Sequence, residues 1–410
     1  MRHFRTVFAL LFVAATVRAD DWPMYLGGLS HTSYAANETQ LNSLNASQLR
    51  QTWKVNVGAP VSSAVTVSKG LLFFGAWDGN FYSVNSVTGA VAWTTFLGKS
   101  PSPTDPTCQP GIGVSSQPVV SGDTVYAGGG DSAVYALNRD TGEILWRVPI
   151  GDPQSGYYLW SSMMLSGNAL YIGIASLGDC PLVRGGLARI GLDDPSHPLI
   201  RYLVPENQQG AGVWSTPAID PIANLVYVTT GNASTQDADN QIWGSALLAL
   251  DAATLEIQAH FFLPVLDTDD DADWGSSPNL FQTSDGQQFV AANGKNGMIY
   301  VLHRPDLTPA LSYSLALDCA TPEAGCGSLS TPAFDGQTLV TGAGQPDASG
   351  VPPGSVYALD ALTQNLVWYY PAGGVVIAPV TLTPGLVLVP TISGLAVLDS
   401  GNGTELWRDS

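Results

Sequence analysis

The sequence predicts an all-β propeller, built from small antiparallel sheets of four strands each. Three observations predict it: a repeat of roughly fifty residues, a tryptophan near the end of the repeats, and a composition rich in turn residues. Of the 410 residues, 44 are Gly and 28 are Pro, and only 12% are charged. Such a composition is typical of a folded chain with many tight turns and few long charged helices.

Each repeat places its tryptophan on a strand that follows a tight turn. Trp53, Trp93 and Trp146 stand in similar segments, and Trp368 and Trp407 end two later copies. Strands of alternating apolar and small residues, followed by Thr-Gly or Asn-Gly turns, precede several of these tryptophans and predict hairpins. A small sheet cannot bury both faces alone, so neighbouring sheets must stack, and closing them into a ring removes exposed edges.

The number of blades follows from counting strands. Seven sets of inner strands begin at Ala59, Lys99, Gly151, Gln208, Thr268, Asp318 and Gly374. The outermost strands number eight if the strand of Trp53 is included. We therefore predict seven blades whose ring is closed where N- and C-terminal strands meet, with eight blades as the alternative. An open solenoid is less favoured because the sequence has no recognisable caps.

The N-terminus predicts export. Arg2, His3 and Arg5 precede an apolar run over 7–17, and Ala19 supplies a small residue after it. We predict a signal peptide over 1–19, too short to span a membrane, and a secreted or periplasmic protein. An N-terminal extension over 20–52 then leads into the closing strand, and 53–410 form a single β-propeller domain.

Charge and cysteine content limit the partners. The formal net charge is −19 with only 15 Lys and Arg, so nucleic acids and anionic membranes are repelled. In an oxidising compartment Cys319 and Cys326 could close a short loop as a disulfide, and the pairing of Cys108 and Cys180 is left open. No Cys-x-x-Cys-His motif occurs in the sequence, so we expect no covalently attached haem.

The repeat resembles that of the pyrroloquinoline quinone (PQQ) propellers. Segments such as Ala-Val-Tyr-Ala-Leu-Asn-Arg-Asp-Thr-Gly at 133–142 carry the resemblance, which covers nearly the whole chain after the signal. The family includes quinone-dependent alcohol dehydrogenases and also scaffolds that bind no cofactor, among them the propeller lipoprotein of outer-membrane assembly. The resemblance therefore implies either a dehydrogenase or a scaffold that binds protein or polysaccharide.

The middle third of the chain resembles the quinone site of the dehydrogenases. The segment from Gly212 to Asn232 is similar to the one that supplies a floor tryptophan beneath the quinone and an asparagine ligand for calcium. By this resemblance Trp214 is the floor and Asn232 is the metal ligand. The acidic loop 267–273 is similar to the loop that carries the catalytic base, which we place at Asp273.

Two further segments complete the implied site. The turn Lys295-Asn296-Gly resembles the one that holds a cation against the quinone oxygens, so Lys295 and Asn296 are implied to contact PQQ. Trp160 and Asp179 lie in stretches similar to those that bring a carboxylate to the metal in polyvinyl-alcohol dehydrogenases, although Asp179 replaces an expected Glu. Asp271 is the alternative base, and Asp273 is preferred because an aromatic residue and Gly follow it.

The resemblance implies a PQQ- and calcium-dependent alcohol dehydrogenase. Calcium binds six to eight oxygen ligands, and Asp179, Asn232 and Asp273 would supply part of this set. The metal would polarise the quinone, Asp273 would remove the alcohol proton, and Lys295 would stabilise charge on the quinone oxygen. Because no haem is predicted, electrons would pass to a separate acceptor such as a cytochrome or quinone.

Each implied residue also has an ordinary structural explanation. Trp214 could be a packing residue between sheets, and the acidic run could be a solvated loop or a surface calcium site. Lys295 lies in a Lys-Asn-Gly sequence that is common in hairpin turns. The enzyme requires that these residues converge near the axis of the propeller, whereas a scaffold does not.

Overall fold

The structure is a computed structural model that describes residues 21–103, 106, 108–264, 273–317, 327–347, 349 and 353–409. The predicted signal peptide, the alternative base Asp271 and the Cys319–Cys326 pair lie outside these residues. Regular structure in them is almost entirely β-strand, with short 3-10 helices at Tyr25–Gly27, Ala46–Gln48 and Pro153–Ser155. The predicted all-β class is confirmed. Within these ranges no helix is long and apolar enough to cross a membrane.

In the described part of the chain the main strands form seven antiparallel sheets, each from strands that lie close in sequence. Sheet 1 consists of β1 (Thr66–Ser68), β2 (Leu71–Gly75), β3 (Asn80–Asn85) and β4 (Val91–Phe96). Sheet 2 consists of β5 (Val119–Ser121), β6 (Thr124–Gly128), β7 (Ala133–Asn138) and β8 (Ile144–Pro149). Sheet 3 consists of β9 (Tyr157–Tyr158), β10 (Met164–Ser166), β11 (Ala169–Ser176), β12 (Gly186–Gly191) and β13 (Leu199–Tyr202).

Sheet 4 consists of β14 (Ala218–Asp220), β15 (Leu225–Thr229), β18 (Ala246–Asp251) and β19 (Ile257–Phe262). Between β15 and β18 the chain forms a separate small hairpin of β16 (Gln236–Asp237) and β17 (Ile242–Trp243). Sheet 5 consists of β20 (Asn279–Gln282), β21 (Gln288–Asn293), β22 (Met298–His303) and β23 (Pro309–Ser314). Sheet 6 consists of β24 (Ala333–Phe334), β25 (Thr338–Ala343), β26 (Ser355–Asp360) and β27 (Leu366–Pro371). Sheet 7 consists of β28 (Thr381–Thr383), β29 (Leu386–Thr391), β30 (Gly394–Asp399) and β31 (Glu405–Arg408).

The core lies between neighbouring sheets. Apolar clusters join sheets 1 and 2, 2 and 3, 3 and 4, 4 and 5, 5 and 6, and 6 and 7. A repeat tryptophan forms a hydrogen bond across two of these joints. The Trp93 indole donates to the carbonyl of Arg139 in the next sheet at 2.9 Å. The Trp368 indole donates in the same way to Ser400 at 2.8 Å. Packing of one sheet on the next is therefore what each repeat contributes to stability.

A short N-terminal stretch, residues 21–35, connects the sheets, and we call it the hub segment. Its backbone is hydrogen-bonded to the first strand of six sheets, at Val67, Val120, Ile219, Leu280, Phe334 and Leu382. These strands belong to sheets 1, 2, 4, 5, 6 and 7. Because one short segment reaches all of them, the first strands must gather around a common axis, as they do in a propeller.

Hydroxyl groups at the start of the first strands link the sheets further. The backbone N–H of Ser162 donates to the Thr216 hydroxyl at 3.1 Å, and the Thr216 N–H donates to the Ser277 hydroxyl at 2.9 Å. The Ser277 N–H donates in turn to the Thr331 hydroxyl at 3.1 Å. Sheets 3 to 6 are thus joined by a continuous series of buried hydrogen bonds, which satisfies backbone groups that packing would otherwise leave unpaired.

Candidate functional site

A pocket of about 390 Å³ lies where loops from sheets 3 to 6 meet. It is lined by six of the seven residues that the sequence singled out, namely Trp160, Asp179, Trp214, Asn232, Asp273 and Lys295. Its volume lies in the range of small-molecule sites. Three larger grooves, of about 620, 590 and 440 Å³, lie beside sheets 3 and 4, and none of the predicted site residues lines them.

A buried ion pair forms the polar end of the pocket. Lys295 Nζ lies 2.8 Å from Asp273 Oδ1, and the two residues are only 9% and 3% exposed. The backbone reinforces the pair, since the Lys295 N–H donates to the Asp273 carbonyl at 2.9 Å. A charge buried to this degree is stable only when it is paired, so each residue fixes the position of the other.

The residue after Asp273 explains why its carboxylate points into the pocket. Trp274 is fully buried and packs edge-on against Tyr300 and Phe261 in the core between sheets 4 and 5. It also forms a bridge to Gly294, immediately before Lys295. Successive side chains on an extended backbone point to opposite sides, so anchoring Trp274 in the core directs Asp273 the other way.

Asp179 approaches from a tight loop after β11. Its backbone has a φ of 56°, in the left-handed region, and its Oδ1 accepts a hydrogen bond from the Ser176 hydroxyl at 2.9 Å. The carbonyl of Ser176 accepts from the Trp160 indole at 3.0 Å. Asp179 and Trp160 are therefore held by the same residue, which explains why both line the pocket.

Asn232 and two glycines shape the wall between Asp179 and Asp273. The Asn232 N–H donates to Asp273 Oδ2 at 3.2 Å, whereas its side-chain amide makes no hydrogen bond to any described residue. A Cβ at Gly231 would lie 3.1 Å from Asp273 Oδ2 and 3.6 Å from Trp214 Cδ1. A Cβ at Gly212 would lie 3.2 Å from the Ala175 Cβ. The glycines keep space open beside the carboxylate and the indole.

Trp214 provides a flat apolar surface in the pocket. Lys295 Nζ lies 5.3 Å from the centre of the Trp214 ring, within the range of a cation–π contact. Leu329, Ala175 and Leu182 add apolar surface around it. The pocket thus combines a planar hydrophobic face with polar groups at one end, an arrangement that orients a flat ligand.

The structure does not bring Asn296 into the pocket. Its side-chain amide donates to the Tyr300 hydroxyl at 2.9 Å, and its Oδ1 accepts from the Met298 N–H at 3.3 Å. Asn296 shapes the turn that presents Lys295. Its predicted contact with the cofactor is therefore not supported by this geometry.

The sequence missed two contributors to the pocket. Gln109 lines it from the loop between sheets 1 and 2, next to Cys108. Cys108 is disulfide-bonded to Cys180, which is 72 residues away in sequence and directly follows Asp179. The available signal is that pairing Cys319 with Cys326 in an oxidising compartment leaves two cysteines, Cys108 and Cys180.

The donor set fits a cation and a planar carbonyl-bearing group. Among the described residues that line the pocket, two carboxylates, Asp179 and Asp273, accompany one ammonium, Lys295, so this set is formally short of positive charge. Carboxylate and amide oxygens are the ligands that hard cations prefer. Among the residues that the structure describes, no group of three or more His, Cys, Asp and Glu side chains is placed to hold a metal. Part of the coordination would therefore have to come from the Asn232 amide and from the bound group itself.

Comparisons with known proteins identify the repeats. Residues 27–172 match the family described as outer membrane protein assembly factor BamB. Residues 202–312 match the family described as glucose/ethanol/alcohol dehydrogenase, β-propeller domain. The second match contains Trp214, Asn232, Asp273 and Lys295.

Similar proteins extend over most of the chain. Polyvinylalcohol dehydrogenase of a Pseudomonas species is 23% identical over 448 residues, 95% of this chain and 67% of the relative. Quinoprotein ethanol dehydrogenase of Pseudomonas putida is 24% identical over 328 residues, 64% of this chain and 51% of the relative. The chain thus spans between one half and two thirds of the length of these relatives.

The fold comparison agrees with the sequence comparison. A europium-containing methanol dehydrogenase superposes with a TM-score of 0.77 at 17% identity, covering 95% of this chain and 85% of that structure. At this identity the superposition establishes the fold alone. The repeats, the family matches and the sheet architecture lead to the same conclusion: the chain belongs to the PQQ-repeat β-propeller family.

Proposed function

We propose that this protein is a PQQ- and metal-dependent alcohol dehydrogenase that passes electrons to a separate acceptor. The observation that carries the proposal is the convergence of Asp179, Trp214, Asn232, Asp273 and Lys295 on one pocket. These residues come from three sheets and from loops far apart in sequence. A scaffold has no need for such a convergence, whereas the chemistry of the dehydrogenases requires it.

Bound PQQ would supply the two-electron acceptor for oxidation of the alcohol. Asp273 would accept the proton of the alcohol hydroxyl, because its carboxylate is buried at the end of the pocket and adjoins the open space beside Gly231. Lys295 would balance negative charge that develops at that end, since its ammonium lies 2.8 Å from Asp273. Trp214 would support the flat ring from one side.

The metal would be held by Asp179, Asn232 and Asp273, where it would act as a Lewis acid. Calcium is the metal that we propose, in line with the oxygen donors at the site. Because a europium-containing methanol dehydrogenase shares the fold, a trivalent lanthanide is the direct competitor. A secreted or periplasmic location, and a cytochrome or quinone as acceptor, complete the proposal.

We further propose that the propeller has seven complete blades. Trp53 gives partial support to the eight-blade alternative. Its indole donates to the Ser86 carbonyl of sheet 1 at 3.0 Å, just as the indoles of Trp93 and Trp368, on the outer strands of their sheets, donate to the sheet that follows. Residues 51–57 pair with none of the seven sheets. They would represent the outer strand of an eighth blade whose other strands are absent from the residues described.

Titration of the purified protein with PQQ tests the function. We expect binding that requires a metal ion, seen as a change in quinone absorbance and quenching of tryptophan fluorescence by the ligand on Trp214. Parallel titrations with Ca²⁺ and Eu³⁺ identify the metal. Asn232→Ala should weaken metal-dependent binding by about tenfold or more, because it removes a ligand from an incomplete donor set.

The matched control is Asn37→Ala, since Asn37 is exposed and lies outside the pocket. It should bind PQQ like the wild type. Absence of PQQ binding with either metal would contradict the dehydrogenase proposal and would favour a protein- or polysaccharide-binding scaffold, which the match of residues 27–172 to BamB supports. An alcohol screen with an artificial electron acceptor would follow a positive result.

A further inference from the structure

The Cys108–Cys180 disulfide joins two loops that meet only at the pocket. Cys108 lies on the connection between sheets 1 and 2, and Cys180 lies on the loop after β11 of sheet 3. The neighbouring residues Gln109 and Asp179 both line the pocket. The loops also touch beside the disulfide, because a Cβ at Gly178 would lie 3.2 Å from Gln109 Oε1. The cross-link is thus adjacent to the wall of the site.

Asp179 has few other restraints. One carboxylate oxygen is held by the Ser176 hydroxyl at 2.9 Å, and the same hydroxyl accepts from the Val183 N–H at 3.3 Å. No ion pair is formed between Asp179 and any residue described, in contrast to Asp273 with Lys295. The backbone at Asp179 is left-handed, with a φ of 56°, which only a minority of non-glycine residues adopt. Such a conformation persists when its surroundings enforce it.

We infer that the Cys108–Cys180 disulfide is a positioning element for the metal site, which holds the Asp179 carboxylate and the Gln109 side chain in place across the pocket. The inference rests on the proposed function and adds residues that the cofactor chemistry does not itself require. Cysteine sulfurs in the disulfide do not coordinate the metal. Their effect is exerted through the residues beside them, as the partners of metal ligands commonly act.

Pre-organisation is the physical basis of the effect. A metal that binds through Asp179 and Asp273 must recruit carboxylates from sheets 3 and 5, and the Asp273 carboxylate is already fixed by Lys295 and Trp274. If the loop of Asp179 is free to move, ordering it must be compensated by binding energy. Because the disulfide already orders the Asp179 loop, metal binding does not have to order it. Loss of the disulfide should therefore lower metal affinity even while the sheets remain folded.

Binding of Tb³⁺ without cofactor tests the inference directly. Tb³⁺ is a hard cation that takes oxygen ligands, and its luminescence is sensitised by nearby indoles such as Trp160 and Trp214. We expect the Cys108→Ser/Cys180→Ser variant to bind Tb³⁺ about tenfold or more weakly than the wild type. Circular dichroism at the titration temperature establishes that the variant is folded.

Reduction of the folded protein provides a second measurement that does not depend on refolding of a variant. In a Cys319→Ser/Cys326→Ser background, Cys108–Cys180 is the remaining pair that a water-soluble phosphine can reduce. The phosphine gives up two electrons and becomes the phosphine oxide, the disulfide becomes two thiols, and one water molecule supplies the oxygen and the two thiol protons. Tb³⁺ affinity should fall on reduction and return on reoxidation. Asp179→Asn serves as the reference for loss of the ligand itself, and reduction should change its affinity little.

The outcomes separate this inference from the proposed function. Equal Tb³⁺ affinity in the cross-linked and uncross-linked folded proteins would overturn the positioning role alone. Failure of the wild type to bind Tb³⁺ in the pocket would overturn the metal site and this inference with it. We expect Tb³⁺ affinity to fall about tenfold in both the serine variant and the reduced protein. Reduction of the Asp179→Asn protein should change its Tb³⁺ affinity little.

Discussion

The joints between sheets 3 and 6 differ from the joint between sheets 7 and 1. Buried Ser and Thr hydroxyls connect sheets 3 to 6 in an unbroken series, and apolar clusters fill the space between them. Sheets 7 and 1 are separated by the chain segment 41–59, which packs in part on each of them. The hydroxyl series ends at the joint between sheets 6 and 7, because Ala378 of sheet 7 stands at the position of Thr331 and carries no hydroxyl. We call the region between sheets 7 and 1 the seam.

The candidate pocket is built on the regular joints. Its residues come from sheets 3 to 6 and from the loop of Gln109, and none lies on a strand of sheet 1 or sheet 7. A site that needs side chains held to a fraction of an ångström benefits from rigid neighbours. An irregular joint in a propeller is therefore tolerated where it does not disturb the geometry of the pocket.

Replacing tryptophans should reveal the largest difference in stability between a regular joint and the seam. Trp93 seals the joint between sheets 1 and 2, and Trp93→Ala should lower the free energy of unfolding by about 3 kcal/mol. Trp53 makes the same indole hydrogen bond beside the seam, but no sheet lies behind it. Trp53→Ala should cost about 1 kcal/mol, since the unpaired segment can close over the space. Urea denaturation compares the two, and equal losses would refute the distinction between the joints.

A histidine of the hub segment should make stability depend on pH at the regular joints. His31 is fully buried, its Nδ1 lies 2.8 Å from the Pro278 carbonyl of sheet 5, and burial lowers its pKa from 6.5 to about 4. The unfolded chain therefore takes up a proton at a higher pH than the folded protein. Stability should be complete above pH 6.5 and decline as the pH falls towards 4, by about 2 kcal/mol between pH 7 and pH 5.

The matched variant is His31→Asn, because Asn tolerates the left-handed backbone at this position, where φ is 60°. It should lose much of the decline between pH 7 and pH 5 when unfolding is followed at several pH values. A decline of the same size in the variant would show that His31 is not the group responsible.

The smallest expected effect concerns the hydroxyl series itself. Thr216→Val keeps the shape of the side chain but leaves the buried N–H of Ser162 without its acceptor, and should cost about 1–2 kcal/mol. Ala378→Ser adds a hydroxyl at the exposed position in sheet 7 where the series ends and should change stability by less than about 0.5 kcal/mol. Thermal unfolding of both variants measures the difference. A neutral Thr216→Val would mean that the series is not needed to hold the sheets together.

Much of the fold followed from the sequence because the repeat is local. Trp93, its turn and its hairpin lie within one unit, so alternation and spacing were enough to predict the strands. The pocket required more, since Asp179 and Asp273 are brought together only by the stacking of sheets, and family resemblance supplied that information. The proximity of Asn296 to Lys295 in sequence says nothing about the direction of its side chain, which lies against Tyr300. Cys108 and Cys180 gave no local signal, as 72 residues separate them.

The hub segment also has a consequence for the order of folding. The Ser33 hydroxyl donates to the carbonyl of Val380, which immediately precedes β28, so one of the first described segments contacts a residue 347 positions later. Contacts this distant in sequence carry a high entropic cost of loop closure and are made late. The individual sheets can form as they are synthesised, but the axis around which they gather is completed only when sheet 7 has emerged. We therefore expect the N-terminal segment to be among the last parts of the chain to acquire protection from amide hydrogen exchange during refolding.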